Sequence, residues 1–391
     1  MHARTWLATF SLPLVAVFTY PVLKRQSSPP KSSSKAPVQD PLAGLTDIED
    51  VMSLVQSNYV DRPDMDKVIG GGIQAALERA HPLNAFLGPE DLRASDPGPA
   101  ETGLVLLKRG LYASVLAVVP GSPAAKAGLQ PGDVVRKIDG ESVGQLSAWA
   151  MERRLRGAEG SKVELVDYSS ATGDPGKITL VRTVLKPAGV SLRKGDAANL
   201  VVLPDLRKGR AEELKKAVEG LDRAKPLVLD LRQNAKGDLA EAGAVAGLFL
   251  KSGTLVTVQE QGQADKAVPF LGSGLPAFSQ IVVLQNGSTL GAAEALSACL
   301  KKGGAALVGE KTIGLGVELS RMPLRQGGAV DLVTRRWLGA GGEKLDRQGV
   351  APTKALKLAA DEDPLPKVMA ALKPDPKDAP KTAAKPADTH A

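Results

Sequence analysis

The side chains that most often carry enzyme chemistry, histidine and cysteine, are scarce in this sequence of 391 residues. Its one cysteine, Cys299, has no second thiol in the chain with which to form a disulfide or a cysteine-rich metal cluster. Of its three histidines, His2 and His390 lie at the ends and only His81 lies within the sequence. These numbers argue against a zinc site and against a triad chosen from several histidines. We expect no metal and no cofactor.

The formal net charge of +7 does not indicate a nucleic-acid partner. An excess of four positive charges falls within residues 1–40, and the remainder of the chain is close to neutral. Aromatic residues, on which bases could stack, make up only 3% of the sequence. We therefore predict no nucleic-acid binding.

The amino-terminal residues predict a membrane segment. Residues 5–23 carry no charge and are flanked by Arg4 and by Lys24 and Arg25. A helix of that length spans roughly 28 Å, close to the hydrocarbon thickness of a bilayer. We predict that residues 1–25 are a signal-anchor rather than a cleaved signal peptide. The chain would then be tethered to a membrane, with its folded part outside the cytoplasm.

Four further segments follow from composition and periodicity. Residues 26–44 are rich in serine and proline and predict a solvated tether, and residues 45–97 predict a small helical segment. Residues 98–186 contain short β-type runs between glycines and prolines. Residues 187–358 alternate apolar strands with helices, which is typical of an α/β core with a largely parallel sheet. Residues 359–391 predict a disordered tail.

Two of these segments resemble known families. The run SPAAKAGLQPGDVVRKIDG, residues 122–140, is similar to the centre of a bacterial PDZ domain. The runs LVLDLRQNAKG (227–237) and VGEKTIG (308–314) resemble motifs of the carboxyl-terminal processing, or tail-specific, serine-lysine peptidases. The resemblance extends over residues 45–357. It implies an α/β crotonase-like peptidase core with an inserted PDZ domain and a small helical segment before it.

The resemblance also implies three catalytic positions, and none of them carries a reactive side chain. Members of the family use a serine nucleophile, a lysine base and a glutamine. The position of the serine falls on Gly291, that of the lysine on Leu315 and that of the glutamine on Leu319. Glycine has no side chain with which to attack a peptide, and leucine cannot accept a proton. We therefore predict a pseudopeptidase, a degenerate member that binds peptides without cleaving them.

Two alternatives remain open from the sequence. An active serine endopeptidase would need a relocated nucleophile, for which Ser288 is the candidate, and Lys236 is the candidate base. The simpler interpretation places Ser288 in a turn before a helix and Lys236 in a solvated loop. Alternatively, Leu315 and Leu319 make the former site more apolar, as in a carrier of a small apolar ligand.

Peptide binding is the function that the resemblance leaves in place. A PDZ domain binds an extended carboxyl terminus by adding it as a strand to an exposed sheet edge. The predicted edge begins at Gly103, Leu104 and Val105. We expect protein C-termini or extended peptides as partners, and a catalytically active peptidase as a further partner. The alternative is that this edge packs on the core and binds nothing.

Overall fold

The computed structural model describes residues 44–168, 175–272, 275–359 and 362–373. The chain divides into two compact units, residues 1–63 and residues 64–391. In the first unit, helix α1 (Gly44–Asn58) is described, and its apolar side chains Leu45, Ile48 and Val51 are exposed. The predicted membrane segment, residues 5–23, lies outside the described residues. Within the described ranges, no helix combines the length and the apolar character needed to cross a bilayer.

The second unit contains the remaining helices and all the strands of the described residues. The helices are α2 (Met65–Ala80), α3 (Pro89–Arg93), α4 (Pro123–Lys126), α5 (Ala148–Leu155), α6 (Arg210–Val218), α7 (Leu239–Phe249), α8 (Ala292–Lys302) and α9 (Pro364–Ala371), with a 3₁₀ turn at Val143–Gln145. The strands are β1 (Ala85–Leu87), β2 (Ala100–Glu101), β3 (Leu104–Arg109), β4 (Tyr112–Val118), β5 (Val134–Ile138), β6 (Glu141–Ser142), β7 (Arg156–Gly157), β8 (Lys162–Tyr168), β9 (Pro175–Val181), β10 (Ser191–Arg193), β11 (Asn199–Val202), β12 (Leu227–Asp230), β13 (Ser252–Glu260), β14 (Lys266–Leu271), β15 (Ile281–Gln285), β16 (Ala306–Gly309), β17 (Val317–Pro323), β18 (Ala329–Gly339) and β19 (Lys354–Ala355).

Residues 98–186, here called the PDZ region, form an antiparallel sheet around their own apolar core. The strand order is β3-β4-β5-β8-β9, with β6 paired to β5. Alternate residues of β4, β5 and β8 face this core, among them Val115, Ile138 and Val163, and all three are buried. Helix α5 packs beside β3, which is the first strand of the sheet. The strands agree with the short β-type runs expected in residues 98–186.

Residues 187–358, here called the core region, contain the predicted parallel sheet. Its order is β10-β11-β12-β15-β16-β19, and every pairing from β11 to β19 is parallel. All four residues of β12 are buried, because helices pack against both faces of a parallel sheet. The continuous apolar run 226–231 thus contains one of the apolar strands expected within residues 187–358.

A second sheet in the core region was not predicted. It is antiparallel, with the order β1-β18-β13-β14 and β17 paired to β18. Strand β1 comes from the segment 45–97, which was predicted to be helical throughout. Its residues Ala85 and Leu87 are buried and pair with Asp331 and Ala329 of β18. A strand of three residues shows too little periodicity to be recognised from sequence.

Candidate active site and peptide groove

The turn between β15 and α8 presents Gly291 immediately before the first residue of the helix, where the resemblance places a nucleophile. Gly291 has φ +57° and ψ −114°, a conformation that residues with a side chain adopt only under strain. A Cβ atom built at this position would lie 3.9 Å from the carbonyl oxygen of Leu315 and would meet nothing nearer. The turn therefore has room for a side chain, and the sequence provides none.

Beneath this turn lies the side chain of Glu294. Its exposed fraction is 0%, so the carboxylate is shielded from solvent. One of its oxygens accepts hydrogen bonds from the Thr312 hydroxyl (2.5 Å) and the Gly314 amide (2.7 Å). The other accepts from the amides of Leu315 (2.7 Å) and Gly291 (2.9 Å). Burial raises the pKa of Glu294, and these four hydrogen bonds oppose that rise. The carboxylate thus ties the turn at Gly291 to the segment 312–315.

Leu315 lies next to Gly291, whereas Leu319 lies farther along the chain on β17. Leu315 is half-buried and packs in a cluster that includes Leu290 of the core region and Leu107 and Leu116 of the PDZ region. The exposed fraction of Leu319 is 45%. At the position of the general base, a leucine side chain thus forms part of an apolar contact between the two regions.

The hydroxyl of Ser288 is engaged with the PDZ region. Ser288 is 1% exposed, and its Oγ donates a hydrogen bond of 2.5 Å to the carbonyl oxygen of Leu116 on β4. The neighbouring Thr289 hydroxyl donates to the carbonyl oxygen of Leu231 at 2.7 Å. Both hydroxyls therefore hold the turn in place, and neither is directed to a base.

Lys236 is also engaged with the PDZ region. It lies in the turn after β12, and its Nζ donates to Oε2 of Glu101 at 2.7 Å and to Oε1 at 2.8 Å. An ammonium group paired with a carboxylate has no lone pair with which to accept a proton from serine. The structure therefore places Ser288 and Lys236 in separate contacts with the PDZ region.

A groove of about 520 Å³ runs along the predicted peptide-binding edge. Strand β3 pairs only with β4 among the described residues, so its other edge is free to accept a strand. Gly103, before β3, has φ +83°, and a Cβ there would lie 2.2 Å from Cβ of Ser122. Six apolar side chains of β3 and α5 line the groove: Leu104, Val105, Leu106, Trp149, Met151 and Leu155. The core region contributes Lys236 and Leu319, among others, to the same groove.

The remaining candidate groups for chemistry are buried and occupied. Burial raises the pKa of the Cys299 thiol to about 11, so the thiol is not ionised near neutral pH. The His81 ring accepts a hydrogen bond from the Leu83 amide and contacts Asp346 through Nε2 at 3.2 Å. No group of three or more histidine, cysteine or acidic residues in the described ranges could hold a metal ion.

Sequence reasoning did not assign a role to two residues that organise this site, Glu294 and Glu101. Glu294 follows Gly291, the residue that caps α8, by three positions. This spacing is typical of a capping carboxylate and could have indicated its role. No sequence signal pairs Glu101 with Lys236, because 135 residues separate them.

Family models match both the core region and the PDZ region. Residues 199–356 match the model of peptidase family S41, and residues 114–166 match that of a PDZ domain. The chain is 27% identical over 321 residues to a probable CtpA-like serine protease of Staphylococcus aureus (strain MSSA476), covering 79% of this chain and 64% of that protein. It is 26% identical over 306 residues to the carboxy-terminal processing protease CtpA of Bacillus subtilis (strain 168), covering 76% and 66%. The chain thus spans just under two thirds of the length of these relatives.

The fold is also similar to a solved structure. The photosystem II D1 C-terminal processing protease matches with a TM-score of 0.65 at 24% identity, over 79% of this chain and 86% of that one. At this identity the similarity shows the fold alone.

Proposed function

The chain belongs to the carboxyl-terminal processing group of peptidase family S41 that carries a PDZ domain, and from this membership we propose that it binds extended peptides or protein C-termini without hydrolysing them. The observation that carries the proposal is the conformation of Gly291. The turn before α8 has room for a Cβ atom, but its backbone is in a conformation that glycine adopts without strain, and the residue there has no side chain. Leu315, at the position of the base, has no group that accepts a proton.

The contacts of Ser288 and Lys236 weigh against a relocated catalytic pair. A hydroxyl that is buried and donates to a backbone carbonyl must first lose that hydrogen bond in order to attack a substrate. An amine that pairs with Glu101 must first lose both its partner and its proton. Each of these changes would also break a contact between the PDZ and core regions.

The packing of Leu315 weighs against a carrier of small apolar ligands. Its side chain belongs to the cluster with Leu116 and Leu290, so it contributes to a contact between the regions. The groove beside β3 is instead suited to an extended chain, because one wall is a strand edge with unpaired backbone groups.

The proposal also covers the fold type of the core region, the location of the chain and a further partner. We assign the core region to the crotonase-like type, and we place the folded part of the chain outside the cytoplasm, tethered through residues 5–23. A catalytically active peptidase remains a proposed partner, since a chain without hydrolytic groups could still deliver peptides to one.

The test of the proposal is a peptidase assay on an unfolded protein such as casein. It compares the wild-type chain, Ser288→Ala, and the triple variant Gly291→Ser/Leu315→Lys/Leu319→Gln. A serine at position 291 has room for its Cβ but carries about 1–3 kcal/mol of backbone strain. We expect no cleavage by the wild-type chain and measurable cleavage by the triple variant, because only the latter has a nucleophile and a base.

The variant Gly291→Ala/Leu315→Lys/Leu319→Gln is the matched control, since it shares the strain and the lysine but lacks the hydroxyl. Cleavage by the wild-type chain that disappears in Ser288→Ala would refute the proposal and establish the relocated nucleophile.

A further inference from the structure

The ion pair between Lys236 and Glu101 lies in the wall of the groove, at the loop that leads into β3. We propose that Lys236 recognises the free carboxylate of a peptide C-terminus bound along β3, by exchanging Glu101 for that carboxylate. The proposal rests on the proposed peptide binding and adds the chemistry of the ligand's end. It assigns to the core region a specificity residue for a site that lies mostly in the PDZ region.

The position of Lys236 suits this role. A strand added to β3 would run beside the loop formed by Glu101, Thr102 and Gly103. Two residues of this loop, Glu101 and Thr102, line the same groove as Lys236. The left-handed conformation of Gly103 and its close approach to Ser122 fix the course of this loop. Lys236 therefore provides a positive charge at the start of β3.

Two other cations line the groove, and each of them also has a carboxylate partner. Arg321 makes two hydrogen bonds to Asp331, at 2.7 and 2.8 Å, and both of its partner oxygens are on one carboxylate. Arg156 is directed to the Gly98 carbonyl oxygen at 3.1 Å and lies 3.5 Å from Asp96. Lys236 uses two of its three N–H donors on Glu101, and no other acceptor for it occurs among the described residues.

The exchange of Glu101 leaves no charge buried without a partner. The side chains of Lys236 and Glu101 are 33% and 27% exposed, so each can reach water. A ligand carboxylate would replace one charge-assisted hydrogen-bond pair by another, and Glu101 would turn to solvent. The cost of the exchange is therefore small compared with the cost of opening a fully buried ion pair.

The hydroxyl of Thr102 gives an independent indication that this loop is incomplete without a ligand. Thr102 lines the groove, yet its Oγ1 is buried and has no hydrogen-bond partner among the described residues. Buried hydroxyls are almost always paired. An unpaired hydroxyl next to Glu101 in the chain is consistent with a ligand that binds at this loop.

Lys236 also differs from what the family resemblance implies at its position, where the motif has a glycine. The family turn therefore does not supply this charge, and carboxylate recognition by a core residue would be a property of this chain. It makes the site composite, because Lys236 of the core region joins side chains of the PDZ region in the groove wall.

The experiment uses the full chain, immobilised, and two degenerate pools of hexapeptides with an apolar last residue. One pool ends in a free carboxylate and the other in a carboxamide, and retained peptide is measured by mass spectrometry. We expect the wild-type chain to retain the free-acid pool about tenfold more strongly, as is typical of a hydrogen bond to a charged group. In Lys236→Ala this ratio should fall to about one or below.

Three further variants make the result specific. Lys236→Arg should keep most of the preference, and Glu101→Gln should raise retention of the free-acid pool because the competing carboxylate is gone. Lys208→Ala removes an exposed lysine of the core region and should leave the ratio unchanged.

The outcomes separate the two proposals. Equal retention of both pools by the wild-type chain would overturn carboxylate recognition and leave peptide binding standing. A preference that survives in Lys236→Ala would also overturn the assignment. Retention of neither pool would overturn peptide binding itself, and the inference with it.

Discussion

Replacing Glu294 should destabilise the fold strongly, although Glu294 is a buried charge without a cationic partner among its hydrogen-bonding contacts. Its two oxygens accept four hydrogen bonds, three from backbone amides and one from the Thr312 hydroxyl. The amides belong to Gly291, Gly314 and Leu315, so the carboxylate joins the start of α8 to a segment about twenty residues later. No other side chain could satisfy these amides from the same position.

The magnitude follows from the number of donors that lose their acceptor. In Glu294→Gln the amide group can face the Thr312 hydroxyl, which then acts as the acceptor, so the Gly314 amide is left unpaired and the hydroxyl must turn its proton elsewhere. One unsatisfied buried amide costs about 1–3 kcal/mol. In Glu294→Leu all three amides lose their acceptor, and the loss is partly offset because no charge is buried. We therefore expect about 1–3 kcal/mol for the glutamine variant and about 3–5 kcal/mol for the leucine variant.

The assay is urea unfolding at pH 7, followed by circular dichroism, with Glu310→Gln as the control. Glu310 is an exposed glutamate near the same segment, and its substitution should change the free energy of unfolding by less than about 0.5 kcal/mol. A leucine variant within about 1 kcal/mol of the wild-type chain would refute the reasoning, because the four hydrogen bonds would then contribute little.

Two further predictions concern buried polar contacts. Ser288→Ala removes the hydrogen bond to the Leu116 carbonyl oxygen and should lower the free energy of unfolding by about 1–3 kcal/mol. Ser191→Ala, at an exposed serine, is the control and should have little effect on that free energy. Equal values for the two variants would contradict a role of Ser288 in joining the regions. Burial lowers the pKa of His81 below its ordinary value of 6.5, with Asp346 opposing, so the neutral ring is the form that the fold favours. The stability that depends on His81 should be present above pH 6.5 and lost as the pH falls through the lowered pKa, and in urea titrations the difference from His81→Gln should follow that course; a difference independent of pH would contradict the assignment.

The sequence predicted much of the architecture because the relevant signals are local. The apolar run 226–231 predicted a buried parallel strand, and the repeated pattern from residue 187 onward predicted the helices between such strands. The antiparallel sheet was missed because its assembly depends on pairing strand β13 with strand β18, which brings together residues as far apart in sequence as Val256 and Gly339. The short strand β1 was missed for the same reason, since Ala85 pairs with Asp331.

The candidate site divides in a similar way. Glycine at position 291 and leucine at positions 315 and 319 are facts of the sequence, and no fold can give these residues a nucleophile or a base. The two residues left as alternatives, Ser288 and Lys236, could be assessed only from the structure. Their partners, Leu116 and Glu101, lie 172 and 135 residues away along the chain.

The sequence by itself thus determined which reactive groups are missing, because the chemistry of a side chain is fixed by its identity. The tertiary structure decided what the remaining polar groups do. Whether the Ser288 hydroxyl and the Lys236 ammonium face each other or the PDZ region depends on how two separately folded regions pack, and no local periodicity encodes that packing.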